Sequence, residues 1–125
     1  LVYRGIVFTA FIKESKVKAV FISAITFSLL HSVNVFGGLA FGDMLGQLGM
    51  TLLSGVFYAF VRLKINNIIP IIIFHWFWDF GLMGGQVLQM DETNNMLTSV
   101  FLVFEIVFVC TYLPYWVYKE VKENR

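Results

Sequence analysis

In a chain of 125 residues, 58% of the residues are hydrophobic and only 14% are charged, and the mean hydropathy is +0.78. A soluble domain of this length could not bury so much apolar surface, and a net charge of +1 argues against a nucleic-acid-binding surface. The only cysteine, Cys110, excludes a disulfide framework and a cysteine metal cluster. The composition therefore predicts a single membrane domain over residues 1–125.

Five apolar stretches follow one another along the chain, at about residues 1–12, 19–36, 40–61, 67–83 and 97–118. Since about 20 helical residues cross a bilayer, these stretches predict an all-α, polytopic transmembrane helix bundle. The first stretch is too short to span a membrane, and we expect no signal peptide directly before it. We therefore expect that this helix is truncated and that the native polypeptide continues upstream of Leu1.

The connections between the predicted helices alternate in charge. Basic residues cluster at 13–18 (KESKVK), at 62–64 (RLK) and in the tail that holds Lys119, Lys122 and Arg125. The other two connections are the uncharged Gly37-Gly38 and the acidic segment MDETNN at 90–95. Because basic connections face the cytoplasm, this alternation predicts an integral membrane protein with a cytoplasmic C-terminus.

Six charged or imidazole side chains fall within these apolar stretches: Arg4, His31, Asp43, His75, Asp79 and Glu105. In lipid, such a group is costly unless it faces a cavity or a partner. Counted from the cytoplasmic helix ends at about 1.5 Å per residue, four of them lie roughly 12–18 Å deep, namely Arg4, His31, His75 and Asp79. A single intramembrane histidine is equally well explained by a structural hydrogen bond between helices, but four groups at one depth predict a shared polar site.

His75 and Asp79 are spaced i, i+4 and therefore share one face of a helix. This spacing suits a pair that binds a metal ion, and it equally suits a carboxylate that orients an imidazole acting on water. The residues alone leave both chemistries open.

Three short segments carry a resemblance to a known family: LVYRG at 1–5, FSLLH at 27–31 and HWFWD at 75–79. They resemble the EExxxR, FxxxH and HxxxN/D signatures of the CPBP family, which comprises type II CAAX prenyl proteases and bacteriocin-processing or self-immunity proteins. Arg4 matches the end of the first signature, Phe27 with His31 the second, and His75 with Asp79 the third. The resemblance covers about residues 1–85, and three ordered motifs on membrane helices are more specific than any one of them.

The resemblance implies an intramembrane endopeptidase in the cytoplasmic membrane of a bacterium, acting on a prenylated protein or a leader peptide, with membrane lipid as its other partner. His31, His75, Asp79 and Arg4 would then be catalytic, with a glutamate activating the water. The family has also been described as metal-dependent, so His31, His75 and Asp79 are possible ligands of a divalent metal such as Zn²⁺.

The two glutamates of the first signature have no counterpart in this chain, because they would precede Leu1. We therefore expect the chain as given to be inactive, with His31, His75 and Asp79 as the supporting half of the site. Two other functions remain open. A non-catalytic immunity or partner-binding protein would keep the same site, whereas a transporter fragment would explain the intramembrane charges but not the ordered signatures.

The remaining features have structural interpretations. Glu105 is expected to have a structural or charge-balancing role, with Arg4 or a histidine as its candidate partner, in preference to a catalytic role. The repeat from Gly42 to Gly46, with Gly38, Gly49 and Gly55 nearby, predicts close packing of the third helix against a neighbour, and interfacial solvation explains Asp43. Two interpretations apply to the tryptophans within the third signature, Trp76 and Trp78: lining of a substrate groove, and packing, which is preferred. An interfacial aromatic belt is predicted at Tyr112, Tyr115, Trp116 and Tyr118.

Overall fold

The computed structural model describes residues 2–123, and of residues 82, 83, 86 and 91 it describes the backbone alone. Leu1 and Arg125, which we assigned to the first helix and the basic tail, lie outside the described residues. Within the described part the chain forms five helices. Helix α1 comprises a π-helical segment, Val2–Val7, and Phe8–Ile12; α2 comprises Lys16–Leu30 and the 3₁₀ segment His31–Gly37; α3 is Phe41–Ile65; α4 is Ile69–Val87; and α5 comprises Asp91–Val107, the π-helical segment Phe108–Tyr112, and Leu113–Glu123.

Short polar turns separate these helices. Ser15 caps the N-terminus of α2, where its side chain accepts a hydrogen bond from the backbone N–H of Lys18. Gly38 ends α2 and Asn66 ends α3, both in the left-handed conformation that commonly terminates a helix. The all-α fold that we predicted is confirmed.

Three helical segments are long and apolar enough to cross a membrane: Lys16–Gly37, Phe41–Ile65 and Glu92–Glu123. The apolar segments Val2–Ile12 and Ile69–Gly81 are shorter. Large apolar side chains on these helices point away from the bundle, and Phe36, for example, is 93% exposed. A surface of this kind requires lipid rather than water, so the chain is an integral membrane protein.

The acidic connection that we predicted at 90–95 is wrong. Helix α5 begins at Asp91, so most of MDETNN is helical and the connection after α4 shrinks to residues 88–90. Acidic residues are favoured in the first turn of a helix because they oppose the partial positive charge of its N-terminus. The same acidic composition therefore begins a helix here instead of joining two.

Close packing of small residues joins α2 to α3. Ala24 and Ala59 are fully buried, and a Cβ built on Gly55 would lie 3.2 Å from both the Cα and the carbonyl oxygen of Ala24. Of the glycines that we predicted to allow close packing of this helix, Gly55 provides the contact, whereas nothing lies within 4 Å of a Cβ at Gly42 or Gly46. The contact lies near the middle of α3 rather than at its beginning.

This contact can be tested by Gly55→Ala, which we expect to destabilise the protein by about 1–3 kcal/mol, because the backbone of α2 would have to move. The matched control is Gly49→Ala on the same helix, where nothing lies within 4 Å. Alanine is the better helix former, so the control should keep or raise stability. Thermal unfolding in detergent micelles, followed by circular dichroism, measures both, and equal shifts would contradict the assigned contact.

The hydrophobic core lies at the end of the bundle where the basic clusters are found. Phe8, Val20, Phe60 and Trp116 pack together there, and the rings of Phe60 and Trp116 are 5.4 Å apart. Trp116 is only 5% exposed, so its assignment to an interfacial belt is wrong, whereas the neighbouring tyrosines of the last helix are exposed. Because Trp116 lies on the buried face of its helix, it packs in the core and cannot contact the membrane interface.

A salt bridge links the ends of α2 and α5. Lys16 Nζ lies 2.6 Å from Glu120 Oε1. The basic segment that precedes α2 and the C-terminal turn of α5 therefore lie at the same end of the bundle. This is the arrangement that the alternation of charge requires if both face the cytoplasm.

Candidate functional site

A cavity of about 560 Å³ opens between α2, α3, α4 and α5. His31 reaches it from α2, and His75 and Asp79 reach it from α4. Three of the four predicted site residues therefore line one space although they belong to two separate helices. Arg4 does not line this cavity but a smaller one beside it, of about 80 Å³, which shares Phe27, Tyr58 and His75 with the larger cavity.

His31 lies where α2 changes from an α-helix to a 3₁₀-helix. Its Nδ1 is 3.1 Å from the carbonyl oxygen of Phe27, one turn earlier. A carbonyl oxygen can only accept a hydrogen bond, so Nδ1 carries the proton. The neutral ring therefore keeps its lone pair on Nε2, where it can accept a hydrogen bond from water or substrate.

His75 and Asp79 form the pair that their spacing predicts. His75 Nε2 lies 3.5 Å from Asp79 Oδ2, and the two side chains are 40% and 55% exposed. Nδ1 of His75 is buried and has no hydrogen-bond partner within the described part of the chain. A proton on Nε2, facing the carboxylate, leaves the lone pair on this unpartnered Nδ1. Asp79 is thus placed to fix the tautomer of His75.

Phe27, the aromatic residue of the second signature, connects the polar groups. Its ring centre lies 5.0 Å from that of His31 and 5.9 Å from that of His75, with both imidazoles at steep angles to its plane. The guanidinium of Arg4 lies 5.1 Å from the same ring centre. Edge-to-face contacts and a cation–π contact of this kind hold neighbouring groups in a defined orientation. One side chain thereby sets the relative positions of three predicted site residues.

Arg4 is 6% exposed and joins three helices. Its Nη1 donates to the carbonyl oxygen of Ser23 at 2.7 Å and to the hydroxyl of Ser23 at 2.9 Å, while its Nη2 donates to the carbonyl oxygen of Gly55 at 2.6 Å. The guanidinium of α1 therefore binds the backbones of α2 and α3. Its direct partners in the described structure are main-chain and hydroxyl oxygens rather than carboxylates.

Tyr58 belongs to the site although we did not select it from the sequence. It is 5% exposed, lines both cavities, and its ring centre is 5.9 Å from that of His75. The signal was the i, i+4 and i, i+3 spacing of Gln47, Thr51, Ser54 and Tyr58, which places a polar stripe on one face of apolar α3. All four side chains line the larger cavity.

Glu105 also lines the larger cavity, from α5. Its Oε2 accepts a hydrogen bond of 2.8 Å from the hydroxyl of Ser54 on α3. Its other oxygen, Oε1, is buried and has no partner among the described residues. The expected pairing with Arg4 or a histidine is not formed there, since the partner of Glu105 is a hydroxyl.

The two tryptophans beside the third signature have different surroundings. Trp78 lines the cavity and packs on Phe101, with ring centres 4.9 Å apart. Trp76 is 59% exposed and contacts Phe77 and Phe80 on the outer face of α4. Only Trp78 can therefore contact a molecule in the cavity.

A metal ion does not fit the arrangement of these residues. In the described part of the chain no group of three His, Cys, Asp or Glu side chains converges closely enough to hold one. His75 and Asp79 are adjacent, but His31 does not complete a three-ligand set with them. The chemistry derived below therefore uses no metal.

The long apolar helices define an integral membrane protein, and a cavity lined by polar side chains lies between them. The family model described as Type II CAAX prenyl endopeptidase Rce1-like matches residues 1–81, and the chain belongs to this family. The resemblance drawn from the three signatures is thereby confirmed, and the matched segment contains Arg4, His31, His75 and Asp79 but ends before Glu105. No curated protein and no solved structure matches the chain.

Proposed function

We propose that this protein is an intramembrane endopeptidase that hydrolyses a peptide bond of a prenylated protein or a leader peptide. One observation carries the proposal: His31 and His75, from two different helices, line a single cavity together with Asp79. Membership of a CAAX prenyl endopeptidase family supports peptide-bond hydrolysis as the reaction. The cavity is large enough to receive several residues of an extended peptide.

The proposed chemistry assigns a separate role to each polar group. His31 Nε2 holds the lone pair of its imidazole, so it accepts a hydrogen bond from water or, once protonated, donates to the developing oxyanion, and the imidazole of His75 lines the same cavity. Asp79 orients His75. In the family pattern the general base is a glutamate of the first signature, and Arg4 would support that segment by holding α1 against α2 and α3.

We also propose that the C-terminus is cytoplasmic and that the membrane is the cytoplasmic membrane of a bacterium. The salt bridge between Lys16 and Glu120 supports this orientation, because it brings two basic segments to one end of the bundle.

The decisive experiment uses the protein expressed from its native open reading frame and reconstituted in liposomes. We expect cleavage of a farnesylated CAAX peptide and no cleavage of the same peptide without the farnesyl group, with release of the C-terminal fragment measured by mass spectrometry. His31→Ala should lower the rate by roughly 100-fold or more, as expected for loss of a group that acts in proton transfer. Val33→Ala, an exposed position on the same 3₁₀ segment, is the matched control.

Addition of a chelator should leave the rate unchanged if the reaction uses no metal. Full activity of His31→Ala would refute the site assignment. Peptide binding without cleavage, under conditions where the control variant is folded, would instead favour the non-catalytic immunity or partner-binding function.

A further inference from the structure

Glu105 is a buried acid that the proposed chemistry does not use. It is 2% exposed, and it is one of the largest fully buried side chains in the described part of the chain. It follows the matched family segment by 24 residues, since that segment ends at residue 81. Its presence inside the bundle therefore needs a reason of its own.

Only one of the two oxygens of this carboxyl group has a hydrogen-bond partner in the described structure. Ser54 donates to Oε2 at 2.8 Å, whereas Oε1 has no partner among the described residues. Leaving a buried polar atom unpaired is unfavourable, and in a membrane the cost is larger still. A leucine or methionine would fill the same place in the helix packing without this cost. An acid with one unpartnered oxygen is therefore better explained by a partner that arrives from outside.

The other buried charge of the bundle does not provide that partner. The Nη atoms of Arg4 are bonded to Ser23 and Gly55, and no ion pair between Arg4 and Glu105 is formed within residues 2–123. The two histidines are not within ion-pair distance of Glu105 either. The acid therefore forms a second polar position in the cavity, on α5 rather than on the helix that holds His75 and Asp79.

The backbone around Glu105 is also irregular. A π-helical segment, Phe108–Tyr112, begins three residues after it, and the backbone N–H of Phe108 is shared between the carbonyl oxygens of Phe104 and Glu105. The only other π-helical segment in the described residues holds Arg4. Such segments add a residue to one turn, redirect side chains and occur frequently at functional sites. Both buried charges of the bundle thus lie in or beside one.

We propose that Glu105, positioned by Ser54, binds a hydrogen-bond donor of the substrate peptide in this cavity. The inference rests on the proposed endopeptidase function and assigns a second recognition point to its substrate. A carboxylate only accepts hydrogen bonds, so the group it binds is a donor, and the test below distinguishes a lysine side chain from a backbone N–H. Glu105 is thereby a specificity residue, and Ser54 is its positioning residue.

The test measures cleavage and binding of a panel of farnesylated CAAX peptides. In one series a single lysine is moved along the residues that precede the farnesylated cysteine, and each peptide is paired with its norleucine counterpart. The variants are Glu105→Gln, which keeps the hydrogen bond with Ser54 but carries no charge, and Glu105→Leu, which keeps neither. Glu92→Gln, an exposed acid in the first turn of the same helix, is the matched control.

If the donor is a cationic side chain, Glu105→Gln should raise KM about 10- to 100-fold for a peptide with lysine at one position, and leave its norleucine counterpart nearly unchanged. If the donor is a backbone amide, Glu105→Leu should raise KM for all peptides by a similar factor, whereas Glu105→Gln should have little effect. Ser54→Ala should change KM in the same direction by a smaller factor. An unchanged KM for every peptide in Glu105→Leu would overturn the proposal. So would a Glu105→Leu variant that gives less folded protein, if the folded fraction binds the peptides as tightly as the unmodified protein does.

A binding measurement separates this inference from the proposed function. Dissociation constants of the same peptides are measured in nanodiscs with His75→Ala as the background. Binding that depends on Glu105 without any cleavage by the unmodified protein would keep the inference and remove the endopeptidase. Cleavage that does not depend on Glu105 would keep the endopeptidase function and overturn the role of Glu105. The absence of both binding and cleavage would overturn both.

Discussion

Replacing His75 by alanine is expected to lower kcat/KM for a farnesylated CAAX peptide by roughly 1,000-fold, while the protein remains folded. General acid–base groups contribute about 10²- to 10⁴-fold to a reaction, and the imidazole of His75 lines the cavity beside Asp79. No hydrogen bond to another helix is lost with this ring, since its described polar partner is Asp79 on its own helix. The loss should therefore appear mainly in kcat.

Asp79→Asn should have a smaller effect of the same kind, about 10- to 100-fold, because it acts on His75 rather than on the substrate. An asparagine carries no charge and presents either its oxygen or its amide nitrogen to Nε2, so it neither enforces one tautomer nor stabilises the protonated ring. The measurement is kcat and KM for each variant in liposomes, with melting temperature as a check on folding. Phe77→Ala, on the exposed outer face of α4, is the control and should keep its activity.

Two results would contradict this division of roles. An Asp79→Asn variant as active as the unmodified protein would show that the carboxylate does not control the tautomer of His75. An Asp79→Asn variant as impaired as His75→Ala would show that Asp79 acts directly on the substrate or on water.

The sequence alone predicted the parts of this molecule that depend on local composition. Runs of apolar residues separated by basic clusters are sufficient to place membrane helices, and the spacing of His75 and Asp79 is sufficient to place them on one face. The family could also be recognised, because its short motifs occur in order. The predicted bounds of α3 and α4 differ from the observed helices by one or two residues at the N-terminal end and by four at the C-terminal end.

The wrong predictions concern which neighbour a residue meets. Gly42 and Gly46 have the spacing of a packing motif, but no helix lies against them, and both border the cavity instead. Gly55, which lies in no such repeat, makes the close contact with Ala24. A glycine pattern shows that a helix can be approached closely, and only the tertiary arrangement decides where this happens.

The cavity wall on α3 and α5 shows the same limit. Ser54 and Glu105 are 51 residues apart, and their hydrogen bond joins two helices that are not consecutive in the chain. A lone acid in an apolar helix predicts only that some partner exists. Whether that partner is Arg4, a histidine or a serine depends on helix rotation, which hydropathy does not determine.

Arg4→Lys is expected to destabilise the protein by about 2–4 kcal/mol, although it keeps the positive charge. The planar guanidinium donates to α2 and α3 at once, through Nη1 and Nη2, and an ammonium group cannot reproduce this fork. A charge-assisted hydrogen bond contributes about 1.5–3 kcal/mol, and the ammonium is the more strongly hydrated ion, so it is costlier to keep buried. Lysine would therefore retain the free-energy cost of a buried charge while losing much of the hydrogen bonding that offsets this cost.

Arg4→Met tests this reasoning because it removes the charge as well as the hydrogen bonds. Replacing a buried charged network by an apolar side chain of similar length recovers the desolvation cost, so we expect Arg4→Met to lose less stability than Arg4→Lys. Arg62→Lys, at the partly exposed end of α3, is the matched control and should cost less than about 1 kcal/mol. Thermal unfolding in detergent measures the order of stability of these variants. If Arg4→Lys were as stable as the unmodified protein, or more stable than Arg4→Met, the hydrogen bonds of Arg4 would not be what holds α1 against α2 and α3.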